Sequence, residues 1–348
     1  MEYRQLGRSG LRVSVLSLGT MTFGGAGNFA AVGHTDLDEA RRILDRCLEA
    51  GVNLVDTADV YSDGASEEMV GEVTKGRRED VLLATKCRFP TEPGANGAGS
   101  SRHHILRSAE ASLRRLGTSY IDLYQLHGWD GQTALEETLS TLDSLVKSGK
   151  VRYVGCSNYA AWQLMKALGT ARQGGWEPFV SHQIYWSLLG RDAEVELVPA
   201  AIDQGLGILV WSPLAGGLLT GKYRRDRRPT SGARHLTDWG EPPIYDQAKA
   251  YDVIDAVVGV AEAHGAPPAQ VALAWLLSRP GVTSAIIGAR AEAQVKELLG
   301  AADLELSNDE KERLSSVSAN PLPYPFWHQA KTVSDRLGTA DRSLLGGR

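Results

Sequence analysis

The sequence predicts a closed α/β barrel of the (β/α)8 type, and three observations predict it. Short apolar runs rich in Val, Ile and Leu recur along most of the chain, each followed by an amphipathic stretch. The runs are apolar on both faces, as strands of a buried parallel sheet are. The phosphate-binding pattern G-x-G-x-x-G, which would favour the rival open doubly wound sheet, is missing. Gly24, Gly25 and Gly27 have the wrong spacing for it and fall in a long loop.

The strand candidates are Val15–Met21, Asn53–Thr57, Val81–Lys86, Leu123–His127, Val151–Ser157, Val180–Ile184, Ile208–Trp211 and Ser284–Gly288. Helices are expected between them. Asp38–Ala50 begins with acidic residues and stops at Gly51, a favourable pair of ends. Ile105–Leu116 stops at Gly117, Leu135–Lys147 near Gly149, Trp162–Leu168 at Gly169 and Ala193–Gln204 at Gly205, while Gln294–Gly300 follows the last strand. Eight strands alternating with helices suggest closure into a barrel.

Further pieces decorate this scheme. Tyr3–Val13, with Arg-Ser-Gly in its middle, reads as an N-terminal hairpin. Long loops, Gly24–Asp36, Pro90–Ser101 and Pro213–Tyr245, follow the first, third and seventh strands. Loops of that length in a compact fold usually serve function. One domain is expected over residues 1–348, with a core of about 3–320 and a tail, Pro321–Arg348, near the active site. The tail carries Tyr324, Phe326 and Trp327.

Composition narrows the function. The net charge of −5 gives no reason to expect nucleic acid or an anionic membrane as partner. The start, MEYRQLGRSG, lacks the apolar stretch of a secretion signal, and no run approaches membrane-spanning length. Cys47, Cys87 and Cys156 are far apart and form no metal-binding spacing. Free thiols in a reducing cytoplasm are the simplest reading.

Barrels of this kind work at the C-terminal ends of their strands. The second strand leads into Asp56-Thr57-Ala58-Asp59-Val60-Tyr61, the third ends at Lys86 and the fourth at His127. Adjacent strands lie about 4.8 Å apart, so these groups can share one pocket. A tyrosine hydroxyl, with a pKa of about 10, is a poor acid at neutral pH. A lysine ammonium about 4 Å away is worth roughly 4 kcal/mol at an effective dielectric of about 20, enough to lower that pKa, although burial opposes the shift. Asp56 would keep Lys86 charged, and His127 would donate to a reacting carbonyl oxygen. Proton donation plus oxyanion stabilisation suits C=O reduction. Any one of these residues alone reads as a salt bridge or a core histidine; the conjunction on three successive strand ends carries the argument.

These residues and the motifs around them resemble the aldo-keto reductase superfamily. The motifs are Gly19-Thr20-Met21, DTADVY, LLATK, DLYQLH, GKVRYVGCSN, HQIYWSLL, VWSPLAGGLLTGKY and AIIGARAEAQVKE, in order over roughly residues 3 to 320. The resemblance implies a TIM barrel, NADPH lying across the strand ends, and hydride transfer to an aldehyde or ketone. It places the catalytic tetrad on Asp56, Tyr61, Lys86 and His127. Cofactor contacts would come from Gly19, Thr20, Met21 and Asp56. The group holding the nicotinamide amide would be Ser157, Asn158 and Gln183, with Trp211 stacking on the ring. Ser212, Pro213, Leu214, Gly216, Leu218, Gly221 and Lys222 would form the pyrophosphate loop. Gly288, Arg290, Gln294 and Glu297 would hold the adenosine half, with Arg290 suited to a 2′-phosphate. Leu298 stands where the family often has Asn.

Substrate choice should come from the loops. Phe23, Val60, Phe89, Trp129, Tyr185, Phe326 and Trp327 are the candidates, with Met21 and Tyr324 beside them. So many rings suggest a bulky or aromatic aldehyde or ketone. Three other readings compete. The same site can run backwards as an NADP-dependent alcohol, sugar or pyridoxine-type dehydrogenase. Some relatives are cofactor-sensing subunits of membrane channels. A metal-dependent barrel hydrolase would need clustered His and carboxylate ligands, and His127 has no His partner at a neighbouring strand end. Monomer and homo-oligomer both remain open.

Overall fold

A computed structural model describes residues 1–230 and 242–345. The expected loop Pro213–Tyr245 therefore includes residues 231–241, which lie outside the described residues.

Ten strands form. β1 (Tyr3–Gln5) and β2 (Arg12–Ser14) are the expected hairpin, antiparallel with Tyr3 opposite Ser14. The other eight are β3 (Leu16–Gly19), β4 (Leu54–Asp56), β5 (Leu82–Cys87), β6 (Ile121–Leu126), β7 (Val151–Ser157), β8 (Ser181–Tyr185), β9 (Gly207–Trp211) and β10 (Val282–Gly288). They close in chain order, β10 returning to β3, with every pairing parallel. The barrel predicted from the repeat is the barrel observed.

Side chains alternate in and out along a strand, so two residues separate one interior layer from the next. The lower layer is apolar: Leu54, Ala84, Leu123, Leu209 and Ile286 pack together in the barrel. The hairpin closes this end, since Leu6 and Val13, both fully buried, join the same cluster. Gly7 makes the plug possible. Its φ is +59°, and a Cβ there would lie 2.5 Å from the carbonyl oxygen of Gly205. Burying a side chain such as Leu6 contributes about 1.5–3 kcal/mol. Two residues further along β4, β5 and β6 stand Asp56, Lys86 and Gln125, all buried. The barrel interior thus changes from apolar to polar within one layer.

Twelve α-helices lie among the described residues. α1 (Leu37–Glu49) is capped by Asp36, whose side chain accepts from Glu39 N. α2 (Ala65–Thr74) follows the Tyr61 turn; α3 (Arg102–Arg115) and α4 (Leu135–Lys147) match expected helices. α5 (Ala161–Gly174) runs past Gly169, because the apolar stripe of Leu164, Ala167, Leu168 and Ala171 continues beyond it. One glycine inside a helix costs only about 1 kcal/mol, so the stripe prevails. α6 (Leu197–Gln204) starts later than Ala193, after a 3₁₀ turn. Pro199 explains the delay: proline is tolerated in a helix's first turn and not deeper.

α7 (Gln247–His264), α8 (Pro268–Leu277) and α10 (Asn308–Ser318) were not expected; α9 (Glu292–Leu299) was. α8 is buried from Val271 to Leu277, so it shows no polar face by which to recognise a helix. In the tail, α11 (Phe326–Thr332) leads to α12 (Thr339–Leu345), which packs on α6 and buries Leu344 and Leu345. Among the described residues, no helix is long and apolar enough to cross a membrane.

Candidate active site

The polar layer of the barrel is one bonded group. Lys86 Nζ donates to Asp56 Oδ2 at 2.6 Å, to Thr57 O at 2.8 Å, and reaches Tyr61 Oη at 3.4 Å. Asp56 Oδ1 accepts from Gln183 Nε2 at 2.8 Å and from Gln125 Nε2 at 3.5 Å. His127 continues β6 by donating its backbone N–H to Cys87 O. Its ring meets the Tyr61 ring edge to face, with centroids 5.8 Å apart. The four residues singled out from the sequence are brought together, and all are buried.

Local structure explains how Tyr61 returns to the strand end. Asp59 N donates to Lys86 O, and Tyr61 N to Ala58 O, folding the segment over the top of β5. Ser62 and Asp63 then take φ of 50° and 55°. Ser62 Oγ fixes this turn by donating to Phe23 O. Ser66, at the start of α2, ties the strand exits together: its Oγ donates to Thr20 O at 2.8 Å and bonds the hydroxyls of Thr20 and Thr57.

Burial by itself pulls the Lys86 ammonium below the usual lysine value. The Asp56 carboxylate and Tyr61 outweigh it and hold the ammonium above the usual lysine value. Burial, reinforced by the cations Lys86 and Arg88, pushes His127 well below the usual histidine value. A neutral imidazole therefore faces Tyr61. It still donates one hydrogen bond and does not compete for the proton. The three thiols are buried and unpaired, and burial pushes Cys87 up, so proximity to Lys86 does not activate it.

Behind Lys86 lies a carboxyl group that no sequence signal suggested. Asp59 is buried, and among the described residues neither of its carboxylate oxygens has a side-chain hydrogen-bond partner. Burial, and then the charge of Glu67, raise it well above the usual carboxylate value, against the pull of Arg115 and Lys86. Glu67 itself accepts from Thr85 Oγ1 and Arg115 Nε. Folding therefore takes up a proton at Asp59. Between the ordinary value of 3.8 and the raised one, stability falls as pH rises. Asp59→Asn cannot ionise. It is expected to be more stable than wild type at neutral pH and above, by about 1–3 kcal/mol. The gap should close toward pH 4. Urea unfolding at both ends of that range checks this; an equal gap throughout would count against it.

The remaining predicted residues sort by place. Ser157 Oγ donates to Gln183 O at 2.9 Å, and Asn158, at φ 58°, donates Nδ2 to His127 O at 3.0 Å. Trp211 Nε1 donates to Asn158 Oδ1 at 2.9 Å, and its indole stacks at a tilt on Tyr185, 5.1 Å away. Gly19 needs to be glycine, since a Cβ would lie 2.7 Å from Ile286 Cγ2. Ser212-Pro213-Leu214 leads into a turn where Gly216 and Gly217 have φ of 64° and 97°. Leu218 is half-buried there, Gly221 closes the turn at φ 80°, and Lys222 is exposed. Gly288 ends β10, and Arg290 N donates to Gln294 Oε1 at 2.9 Å. Glu297 is exposed on α9.

Of the substrate candidates, Phe89 lies tilted against His127, ring centroids 4.6 Å apart, and Val60 and Met21 pack with Tyr61 and Phe29. Trp129 meets Tyr159 and Trp162 edge to face at 5.2 and 5.6 Å. Phe23 is placed differently: it is wholly buried in the main core and does not line the mouth. Phe326 and Trp327 lie on α11, where Trp327 pairs with Tyr324 and His328. Among the described residues, no ring contact joins them to the tetrad. Their aromatic character indicated a pocket, but the tail follows α6, and sequence spacing carried no sign of that.

Could this mouth take a nicotinamide cofactor? Two buried polar atoms beside the tetrad, His127 Nδ1 and Gln125 Oε1, have no partner among the described residues. Trp211 offers a half-buried indole face, and a Cβ on Gly217 would meet nothing within 4 Å, so backbone N–H groups there can be approached closely. The residues fit such a group.

Comparison with known proteins agrees with this geometry. The sequence profile of the Aldo/keto reductase family matches residues 15–319. An oxidoreductase of Bacillus subtilis, YrpG, is 39% identical over 92% of this chain and 97% of its own length. A probable voltage-gated potassium channel subunit beta of Arabidopsis thaliana is 36% identical, over 87% of this chain and 92% of its own. Versiconal hemiacetal acetate reductase of Aspergillus parasiticus is 35% identical, over 89% and 95%. The chain belongs to the aldo/keto reductase family, and this membership supports a carbonyl oxidoreductase activity.

Proposed function

We propose that the protein reduces an aldehyde or ketone to an alcohol at the expense of NADPH, with Tyr61 as general acid. The observation that carries this reading is the buried contact chain from Asp56 through Lys86 to Tyr61, with a neutral His127 alongside. The substrate carbonyl oxygen sits between Tyr61 Oη and the His127 ring. His127 donates a hydrogen bond to it, and Tyr61 gives up its proton as negative charge grows there. Lys86 stabilises the phenolate left behind, and Asp56 keeps Lys86 charged and aimed. The nicotinamide, when bound, supplies the hydride.

Ser157, Asn158 and Gln183 would hold its amide and Trp211 its ring; the turn from Ser212 to Lys222 would take the pyrophosphate. Gly19, Thr20 and Met21 would border the ring, while Gly288, Gln294 and Glu297 would border the adenosine. Arg290 would take the 2′-phosphate, which distinguishes NADPH from NADH. Consumption of NADPH with a panel of aromatic aldehydes tests the activity. Arg290→Ala is expected to weaken NADPH binding by about 10- to 100-fold, the worth of a charge-assisted contact. NADH binding should stay within about twofold. Equal losses for both would overturn the assignment of Arg290.

The potassium-channel relative favours a second reading, a cofactor-sensing subunit built on the same barrel. Tight NADPH binding with negligible turnover on every carbonyl tried would favour it. Run in reverse, the site would be a dehydrogenase, and the cofactor ratio in the cell sets that direction.

A further inference from the structure

The proposed chemistry leaves one cation beside the tetrad without a task. Arg88 directly follows β5, two residues beyond Lys86, at φ 133°. That is backbone glycine adopts freely and arginine rarely, and such strain gathers at binding sites. The neighbours fix it firmly. Arg88 O accepts from Gly99 N at 2.8 Å, and Arg88 Nε donates to Trp129 O at 3.1 Å. The guanidinium carbon stands 5.3 Å from the centre of the Phe89 ring, which in turn lies 4.6 Å from His127. Arg88 is half-buried.

The rest of the guanidinium is uncommitted. Among the described residues, Nη1 and Nη2 make no hydrogen bond and no carboxylate pairs with Arg88. The carboxylate next to Trp129 is already used: Asp130 accepts from Ser100 N, Gln132 N and Thr133 Oγ1. Glu92, along the same loop, pairs with Arg107. Lys86 is neutralised by Asp56. The mouth beside His127 therefore carries an uncompensated positive charge. It is a planar fork, the geometry that grips a carboxylate through two parallel bonds.

We infer that Arg88 binds an anionic group of the substrate, so that the site prefers aldehydes or ketones carrying a carboxylate about one aromatic ring away from the carbonyl. Phe89 sets that span, since its ring contacts both Arg88 and His127, and Trp129 flanks Arg88 through the Nε bond to its carbonyl. The inference rests on the carbonyl-reductase reading and names its substrate class. It makes Arg88 a specificity residue, in contrast to a mere clasp on the Trp129 carbonyl.

The test uses para-carboxybenzaldehyde and its methyl ester, which differ in charge far more than in shape. With NADPH, wild type is expected to favour the acid over the ester by about tenfold or more in kcat/KM. Arg88→Met should lower the acid by about 10- to 100-fold and leave the ester within about threefold. Arg88→Gly, which also relieves the backbone, should show the same loss of selectivity with an unfolding temperature equal to or above that of wild type. Equal use of acid and ester by wild type would overturn the inference. So would an equal fall of both in the variants, since that is the mark of a displaced Trp129 loop. Binding of the two compounds to the protein saturated with NADP+, measured by calorimetry, separates the readings. Arg88-dependent binding of the acid without reduction of either compound would sink the reductase reading and keep the Arg88 assignment. Reduction of both without discrimination would do the reverse.

Discussion

Tyr61→Phe is expected to lower kcat/KM for an aromatic aldehyde by about 10²–10⁴-fold, the usual worth of a positioned general acid. The substitution is clean. The Tyr61 ring packs edge to face against Phe29 at 5.2 Å and against His127 at 5.8 Å. Phenylalanine keeps these two ring contacts and removes the hydroxyl that Lys86 reaches. Cofactor affinity and unfolding temperature should therefore match wild type, and the loss should fall on the chemical step. Single-turnover measurement with saturating NADPH isolates that step. Full activity in the variant would end the case for Tyr61 as the acid. His127 would then be left as the polar group nearest the carbonyl, and its neutral state makes it a poor source of protons.

Much of this arrangement can be read from the chain, and the reason lies in the two-residue period of strands. Asp56 follows Leu54 and Lys86 follows Ala84 on the same inward face. A reader who places Leu54 and Ala84 in the core has already placed the charged pair one layer above them. Gln125 and Gln183 obey the same rule. As single polar residues within apolar runs, they gave no sign that both would converge on Asp56 Oδ1. That depends on strand register, Lys86 beside Gln125 and Ser157 beside Gln183, which only the closed barrel fixes. Phe23 and the tail aromatics went the other way. An aromatic residue in a loop reads alike whether it packs beneath the loop or lines a mouth. Asp59 and Arg88 stayed hidden for a third reason. Each is a charged residue in a loop, ordinarily solvated, and it is burial without a side-chain partner among the described residues in one case and strained backbone in the other that sets it apart.

The pair that charges the site should also be the pair whose rupture costs the fold most. Lys86 and Asp56 are almost wholly buried, so each compensates a charge that the barrel interior cannot otherwise hold. Lys86→Met leaves Asp56 Oδ2 without its donor, with only the two glutamine amides on Oδ1. A loss of about 3–5 kcal/mol is expected, as when one member of a buried ion pair is removed. Adding Asp56→Asn removes the stranded charge. The double variant should recover most of the stability and none of the activity, giving a large coupling energy in a double-mutant cycle. The pH dependence has a definite sign. Because Lys86 is held above its ordinary value, the stability it contributes is fully present below the unfolded lysine value of about 10.4. It is lost only as pH climbs through the higher folded value. The gap between wild type and the double variant, in which no carboxylate is stranded, should thus be flat across neutral pH and shrink in strong alkali. Denaturant unfolding of the four proteins in the cycle measures both quantities. If the double variant were no more stable than Lys86→Met, the ion pair would not be what stabilises this layer, and its tie to Tyr61 would lose its physical basis.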